Sequence, residues 1–229
     1  MASWPGEGGW GAARAGRFSR LRAAGPASEL HAAPLPDRPT VTFCDVARPA
    51  VVLGSTQPLA DVDAERAEAL GVDVVRRRSG GGAVFLAAGS VVWADVFVPA
   101  GDPLWEADVG RAFWWLGDAW AAALASLGAA GLSVHRGGLV RTRWSPKVCF
   151  AGLGPGEVSV DGAKVVGLSQ RRTRAGALFQ CACLLSWDPA PLVELLRLGQ
   201  DAAADLAPMA TGIGRPPADV ERALLAAFD

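Results

Sequence analysis

The stretch Val160-Asp161-Gly162-Ala163-Lys164-Val165-Val166-Gly167-Leu168-Ser169-Gln170-Arg171-Arg172 decides how the chain is read. Asp-Gly between two apolar, β-branched runs is a hairpin signal, because a two-residue primed turn needs positive φ at both central positions. Strands are therefore expected at 157–160 and 164–168, with Lys164 just past a tight turn. Its neighbours are small or β-branched. An ammonium held there is costly unless it meets an acceptor, so Lys164 is expected to face a polar ligand. A lysine snorkelling from a sheet edge fits the same local pattern.

Upstream, Arg76-Arg77-Arg78-Ser79-Gly80-Gly81-Gly82-Ala83-Val84-Phe85 interrupts two strand candidates, Val72–Arg78 and Ala83–Leu86. Glycines let a backbone approach a ligand closely and expose its amides, while Arg supplies fixed cationic donors. An anionic or carbonyl-bearing ligand suits such a turn. The segment lacks the Gly-Lys-Ser/Thr ending of a P-loop and the glycine spacing of a dinucleotide fingerprint. On its own it fits an ordinary flexible turn equally well.

The rest of the pattern is mixed. Thr40–Cys44, Ala50–Gly54, Ser90–Val98 and Ala177–Leu185 read as strands, and Asp63–Leu70 as a helix. Over 106–127, Phe113, Leu116, Trp120, Ala123, Leu124 and Leu127 recur at three- and four-residue steps, which predicts a helix with one core-facing side. Pro191–Leu198 and Ala218–Phe228 close the chain as helices, the second entered through Pro216-Pro217. The expected fold class is α+β, a mixed or antiparallel sheet with flanking helices. Residues 1–38, rich in Gly, Ala, Arg and Pro with scattered large apolar residues, are expected to be a flexible tail, and 39–229 the catalytic domain.

Composition narrows the partners. With 229 residues and 51% hydrophobic content, one full-sized core can form. A formal net charge of −1 provides no global field for nucleic acid or an anionic membrane, so neither is expected as a partner. No apolar span approaches membrane length, and the four cysteines (44, 149, 181, 183) form no CxxC pair or dense framework, which points to a reducing, cytoplasmic setting. Cys181 and Cys183 share a strand face without a histidine or third thiol at ligand spacing, so no metal site is expected. Gln170-Arg171-Arg172-Thr173-Arg174 is a compact basic cluster suited to an acidic protein partner, or simply a solvated turn.

Taken together, the two segments resemble the lipoate ligase and octanoyl transferase family, which pairs Arg-Arg-x-Ser/Thr-Gly-Gly with a later Gly-x-Lys-[apolar]-x-Gly-x-[small]-Gln. Arg76, Arg77, Ser79, Gly80, Gly81 and Gly82 match the first, and Gly162, Lys164, Gly167, Ser169 and Gln170 the second. The resemblance covers roughly residues 40–200. It implies a biotin/lipoate ligase-like catalytic domain with an apolar tunnel for a medium-length acyl chain. The turn through Ala83 would cradle the carboxyl end, with Lys164 on the acyl carbonyl.

A third segment, Ser145-Pro146-Lys147-Val148-Cys149-Phe150, resembles the Cys-type octanoyl transferases, where ligases more often carry Gly-Arg-Asn-Asp. That likeness makes Cys149 the nucleophile of a route needing no cofactor: acyl-carrier thioester to enzyme cysteine to a lipoyl-domain lysine. The implied acceptors are lipoyl domains of 2-oxoacid dehydrogenase complexes or of the glycine cleavage system, with Arg171, Arg172 and Arg174 as a docking patch. As a small apolar side chain, Cys149 fits a core position too. The alternative is an ATP- and magnesium-dependent ligase that activates free lipoate as an adenylate, though the accessory domain many such ligases carry after the catalytic one has no counterpart before residue 229. A third reading is a degenerate member that binds without turnover. The chain departs from the family where it expects His-Asp after the glycine turn (Leu86-Ala87 here) and Gln-His-Gly (Gln180-Cys181-Ala182 here).

Overall fold

Asp161 and Gly162 adopt φ of 50° and 87°, the paired left-handed values of a primed turn, and the hairpin forms around them. The computed structural model describes residues 16–199 and 201–229. In chain order these form β1 (Ser19–Gly25), α1 (Ala27–Ala32), β2 (Thr40–Val46), β3 (Ala50–Leu53), α2 (Ala64–Ala69), β4 (Asp73–Arg76), β5 (Val84–Leu86) and β6 (Val91–Pro99). There follow α3 (Trp114–Ser126), β7 (Leu132–Val134), β8 (Val158–Val160), β9 (Ala163–Arg172), β10 (Gly176–Leu184), α4 (Ala190–Leu195), α5 (Ala202–Leu206) and α6 (Pro217–Ala226).

A seven-stranded sheet has the order β1-β2-β6-β10-β9-β8-β7, and a three-stranded sheet the order β4-β3-β5. Both are mixed: β1 runs parallel to β2 and β4 parallel to β3, while the other pairs are antiparallel. The expected α+β architecture with flanking helices is the observed one.

One face of the large sheet is covered by α3 and α6. Leu116, Trp120 and Leu124 of α3 and Val220 and Leu224 of α6 are fully buried against Val96, Val165 and Phe179. The small sheet packs Val51 and Leu53 against Leu192 and Leu195 of α4 and Leu206 of α5. Among the described residues no helix is long and apolar enough to cross a membrane.

The structure corrects two expected boundaries. The helix expected over 106–127 begins at 114, after a 3-10 turn at Arg111–Phe113. Glu106 Oε1 accepts from the Asp108 amide at 2.9 Å and Asp108 Oδ1 from the Arg111 amide at 2.8 Å. These side chains take amide donors that a helix would need, holding 106–110 in turns.

The second correction concerns the tail expected over 1–38. Residues 1–15 lie outside the described residues, but 19–25 form β1, paired with β2 from Ser19↔Thr40 to Gly25↔Val46, and 27–32 form α1. Ala23, Ala27 and Leu30 are buried against Cys44, Val52, Leu86 and Trp93. Residues distant in sequence hold this segment, so its own apolar spacing is too sparse to announce it.

Candidate functional site

The hairpin sets Lys164 at the second position of β9, where it is 3% exposed. Its Nζ donates to Cys149 O at 3.0 Å and Gly152 O at 3.1 Å and pairs with Glu157 Oε2 at 2.7 Å. Three donors thus meet three acceptors, which is how a buried ammonium escapes its desolvation cost. Glu157 is buried too and accepts from the amides of Gly154 (2.6 Å) and Leu168 (3.0 Å). Alternation includes Glu157 in the strand before the hairpin but gives it no role; a Glu ending an otherwise apolar strand seven residues before the lysine is the available signal.

Lys164 Nζ also stands 5.0 Å from the centroid of the Phe150 ring. The strand can come this close because of Gly167, where a Cβ would lie 3.2 Å from Phe150 Cζ and 3.3 Å from Lys164 Cε. Gly162, by contrast, serves the turn and lines neither cavity described below.

The glycine turn lies across from this lysine. Gly81 has φ +103°, and a Cβ there would sit 2.8 Å from Arg77 Nη2 and 3.9 Å from Cys149 Sγ. A Cβ on Gly82 would strike the Val148 backbone at 2.6 Å, and one on Gly54 would fall 1.8 Å from Gly81 O. These are contacts only glycine permits. Ala83 N donates to Lys147 O (2.8 Å) and Cys149 N to Ala83 O (2.9 Å), tying the turn to the Cys149 segment. Ser79 Oγ and Ser169 Oγ, 2.9 Å apart, join the two sequence motifs directly.

The arginines behave differently from the expectation that they would offer cationic donors to a ligand. Buried Arg77 donates to Val52 O (3.3 Å), Gly80 O (2.7 Å) and Gly82 O (2.9 Å), leaving its buried Nε without a partner among the described residues. Arg76 binds the carbonyls of Gly54, Ser55 and Gln57. Arg77 thus braces the glycine turn and Arg76 the neighbouring segment 54–57, because clustered backbone carbonyls of tight loops need donors.

Two cavities meet here. An apolar one is lined by Val84, Leu86, Trp93, Phe150 and Leu168, with Arg77 and Gly167 in its wall. The other is an open cleft of about 1400 Å³ bordered by Gly80, Gly81, Gly82, Lys147, Glu157 and Lys164. Cys149, Leu168 and Ser169 line both. Cys149 is half-buried, whereas Cys44, Cys181 and Cys183 are buried, and burial pushes all three thiols up, Cys183 to about 12.

The remaining expected positions lie apart. Gln170 lines neither cavity, and its Oε1 accepts from Arg172 Nε at 2.9 Å. Arg172 donates to Ala107 O (3.0 Å) and Glu106 O (2.6 Å) and stacks on Trp105, so intramolecular partners occupy it. Arg171 is half-buried and Arg174 exposed.

Leu86 and Cys181, at the positions where the sequence resemblance leads one to expect histidines, both line the apolar cavity. So does His31 of α1, from the segment expected as a tail, which carries no local signal of a site. Gln180 Nε2 lies 3.1 Å from His31 Nδ1 and 3.4 Å from both oxygens of Asp95, and Trp93 Nε1 donates to Asp95 Oδ1 at 2.6 Å. Burial lifts Asp95 to about 7 against the pull of those two hydrogen bonds. Burial, aided by the Arg77 charge, lowers His31 to about 4.

A sequence search of curated proteins finds no match. By structure, the chain is similar to the protein Ta0514 of T. acidophilum with bound lipoic acid, at TM-score 0.71 and 19% identity over 93% of this chain and 83% of that one. It is similar to a lipoate-protein ligase A bound with ATP, at TM-score 0.71 and 18% identity over 93% and 84%. A third likeness is to a bi-partite lipoate protein ligase of Thermoplasma acidophilum, described with its E2 lipoyl domain, at TM-score 0.68 and 19% identity over 90% and 81%. These likenesses bear on the fold. The model of the lipoyl protein ligase A/B catalytic domain matches residues 28–213, and the chain belongs to that family of lipoylation enzymes.

Proposed function

We propose that this chain is an acyltransferase of protein lipoylation in which Cys149 carries the acyl group. The observation that carries the reading is the position of Cys149, at the junction of the apolar cavity with the open cleft and facing Gly81. An octanoyl or lipoyl chain in the cavity would bring its thioester carbonyl to that junction.

The Cys149 thiolate attacks the carbonyl of an acyl-carrier thioester. The carrier's C–S bond breaks, the carrier thiolate leaves, and an acyl-enzyme thioester remains. The ε-amine of a lipoyl-domain lysine then attacks the same carbon, the C–N bond forms, the amine loses a proton and the Cys149 thiolate departs. Lys164 and the amides of the glycine turn are assigned to the oxyanion. Thioester to amide is downhill, so no nucleotide enters. Acceptors on this reading are lipoyl domains of 2-oxoacid dehydrogenase complexes or of the glycine cleavage system, with Arg171 and Arg174, at and just past the end of β9 away from Lys164, meeting acidic groups on the acceptor's surface.

A second reading, the ATP-dependent ligase, is favoured by the structural neighbours solved with ATP and with lipoic acid. The cleft offers a fit: Gly80, where nothing lies within 4 Å of the position a Cβ would take, leaves open space, and Arg141 and Lys147 line the same cleft as cations for phosphates. ATP would supply activation of a free carboxylate. The test incubates the protein with acyl-carrier thioester, or with lipoate, ATP and magnesium, and weighs enzyme and lipoyl domain by mass spectrometry. An acyl adduct lost in Cys149→Ala supports transfer, and adduct-free, ATP-dependent modification defeats it.

A further inference from the structure

His31 reaches the apolar cavity from an element outside both sequence motifs. Its ring centroid lies 4.5 Å from that of Trp93. An amide nitrogen can only donate, so with Gln180 Nε2 at 3.1 Å the His31 Nδ1 must accept. The proton of the neutral ring is then on Nε2. Nε2 is buried and has no hydrogen-bond partner among the described residues.

A buried donor without a partner is a standing cost that a ligand can relieve. The cavity that His31 lines is mostly apolar, with Val84, Leu86, Trp93 and Phe150 in its wall, and such walls disfavour a charged chain end. An unsubstituted alkyl end leaves the N–H as it was. A chain end with a sulfur or oxygen acceptor gives it a partner, sulfur being the weaker of the two.

We propose that His31 determines specificity in the acyl cavity, selecting a medium-length acyl chain whose distal end carries a neutral acceptor, the dithiolane of a lipoyl group, over a plain octanoyl chain. This rests on reading the cavity as the acyl site. Gln180, held by Asp95, fixes the tautomer and so acts as a positioning residue.

Calorimetric titration tests it, with lipoyl and octanoyl ligands offered both as free acids and as pantetheine amides, which cannot acylate Cys149, to the wild type, His31→Leu and His31→Gln. The wild type is expected to bind the lipoyl member of each pair roughly fivefold more tightly, the scale of one modest hydrogen bond. His31→Leu brings the ratio to about one while octanoyl binding persists, and His31→Gln, which keeps a donor, retains the preference. An unchanged ratio in His31→Leu overturns the role of His31 and leaves the acyl reading standing; no binding of any of the four ligands removes both. For a readout independent of that variant's folding, the ¹⁵N resonance of His31 Nε2 in the wild type should move with lipoate and not with octanoate. Equal movement with both overturns the proposal.

Discussion

Lys164 and Glu157 form an ion pair at 2.7 Å with side chains only 4% and 6% exposed. The pair couples β9 to the residue before β8, and through Cys149 O and Gly152 O it also anchors the turn that carries the cysteine. Fold and chemistry therefore share one lysine.

Removing one partner leaves the other charge buried without compensation. Glu157→Ala is expected to lower unfolding free energy by about 3 kcal/mol, and Glu157→Ala with Lys164→Met to recover part of it, the amides of Gly154 and Leu168 staying without their acceptor. Urea denaturation of the two variants measures this, and equal losses in both would contradict it.

Lys164→Met is expected to abolish acyl transfer to a lipoyl domain while the protein still folds, since a straight apolar chain fills the same channel. Circular dichroism and mass spectrometry of the acceptor give the two readings. Turnover within tenfold of wild type would remove Lys164 from the chemistry.

At Gly54 a methyl group would occupy the position of Gly81 O, 1.8 Å away. Gly54→Ala should displace the glycine turn, at a cost of roughly 1–3 kcal/mol for the forced backbone shift. Gly80→Ala, where nothing lies within 4 Å of the new atom, should be tolerated by the fold. Thermal melts compare them directly.

Asp95 and His31 give opposite pH slopes. Folding raises Asp95 to about 7, so between about pH 4 and 7 the native state holds a proton that the unfolded state releases, and stability falls as pH rises. Folding lowers His31 to about 4, so between about pH 4 and 6.5 the unfolded state holds the extra proton and stability rises with pH. Asp95→Asn should leave a rising profile over this window and His31→Leu a falling one. Urea titrations at half-unit pH steps read the signs, and two parallel profiles would refute the assignment.

The hairpin at Asp161-Gly162 and the strands around the glycine turn were legible because φ preferences and alternation are local properties. The α3 start was not, because Glu106 and Asp108 divert amides through side chains that a hydrophobic pattern ignores. β1 and α1 escaped for another reason: Ala23, Ala27 and Leu30 gain their burial from Cys44, Leu86 and Trp93, far along the chain. Cys149 and Lys164 line one cleft, yet the contact runs to the cysteine's carbonyl oxygen, and no motif specifies which atom a lysine will reach. Arg76 and Arg77 show the converse, since their place beside the turn was readable and the backbone carbonyls they serve were not.

The three filled donors of Lys164 carry one more consequence. A neutral carbonyl arriving at this ammonium can only trade places with Cys149 O, Gly152 O or a Glu157 oxygen, and one peptide-like oxygen for another gains little. A fully developed negative oxygen is a better acceptor than either peptide group, so the exchange becomes favourable only as the carbonyl electrons shift. On the acyl-transfer reading, the lysine would be nearly indifferent to the resting substrate and responsive to its activated form, which concentrates its effect on rate rather than on affinity.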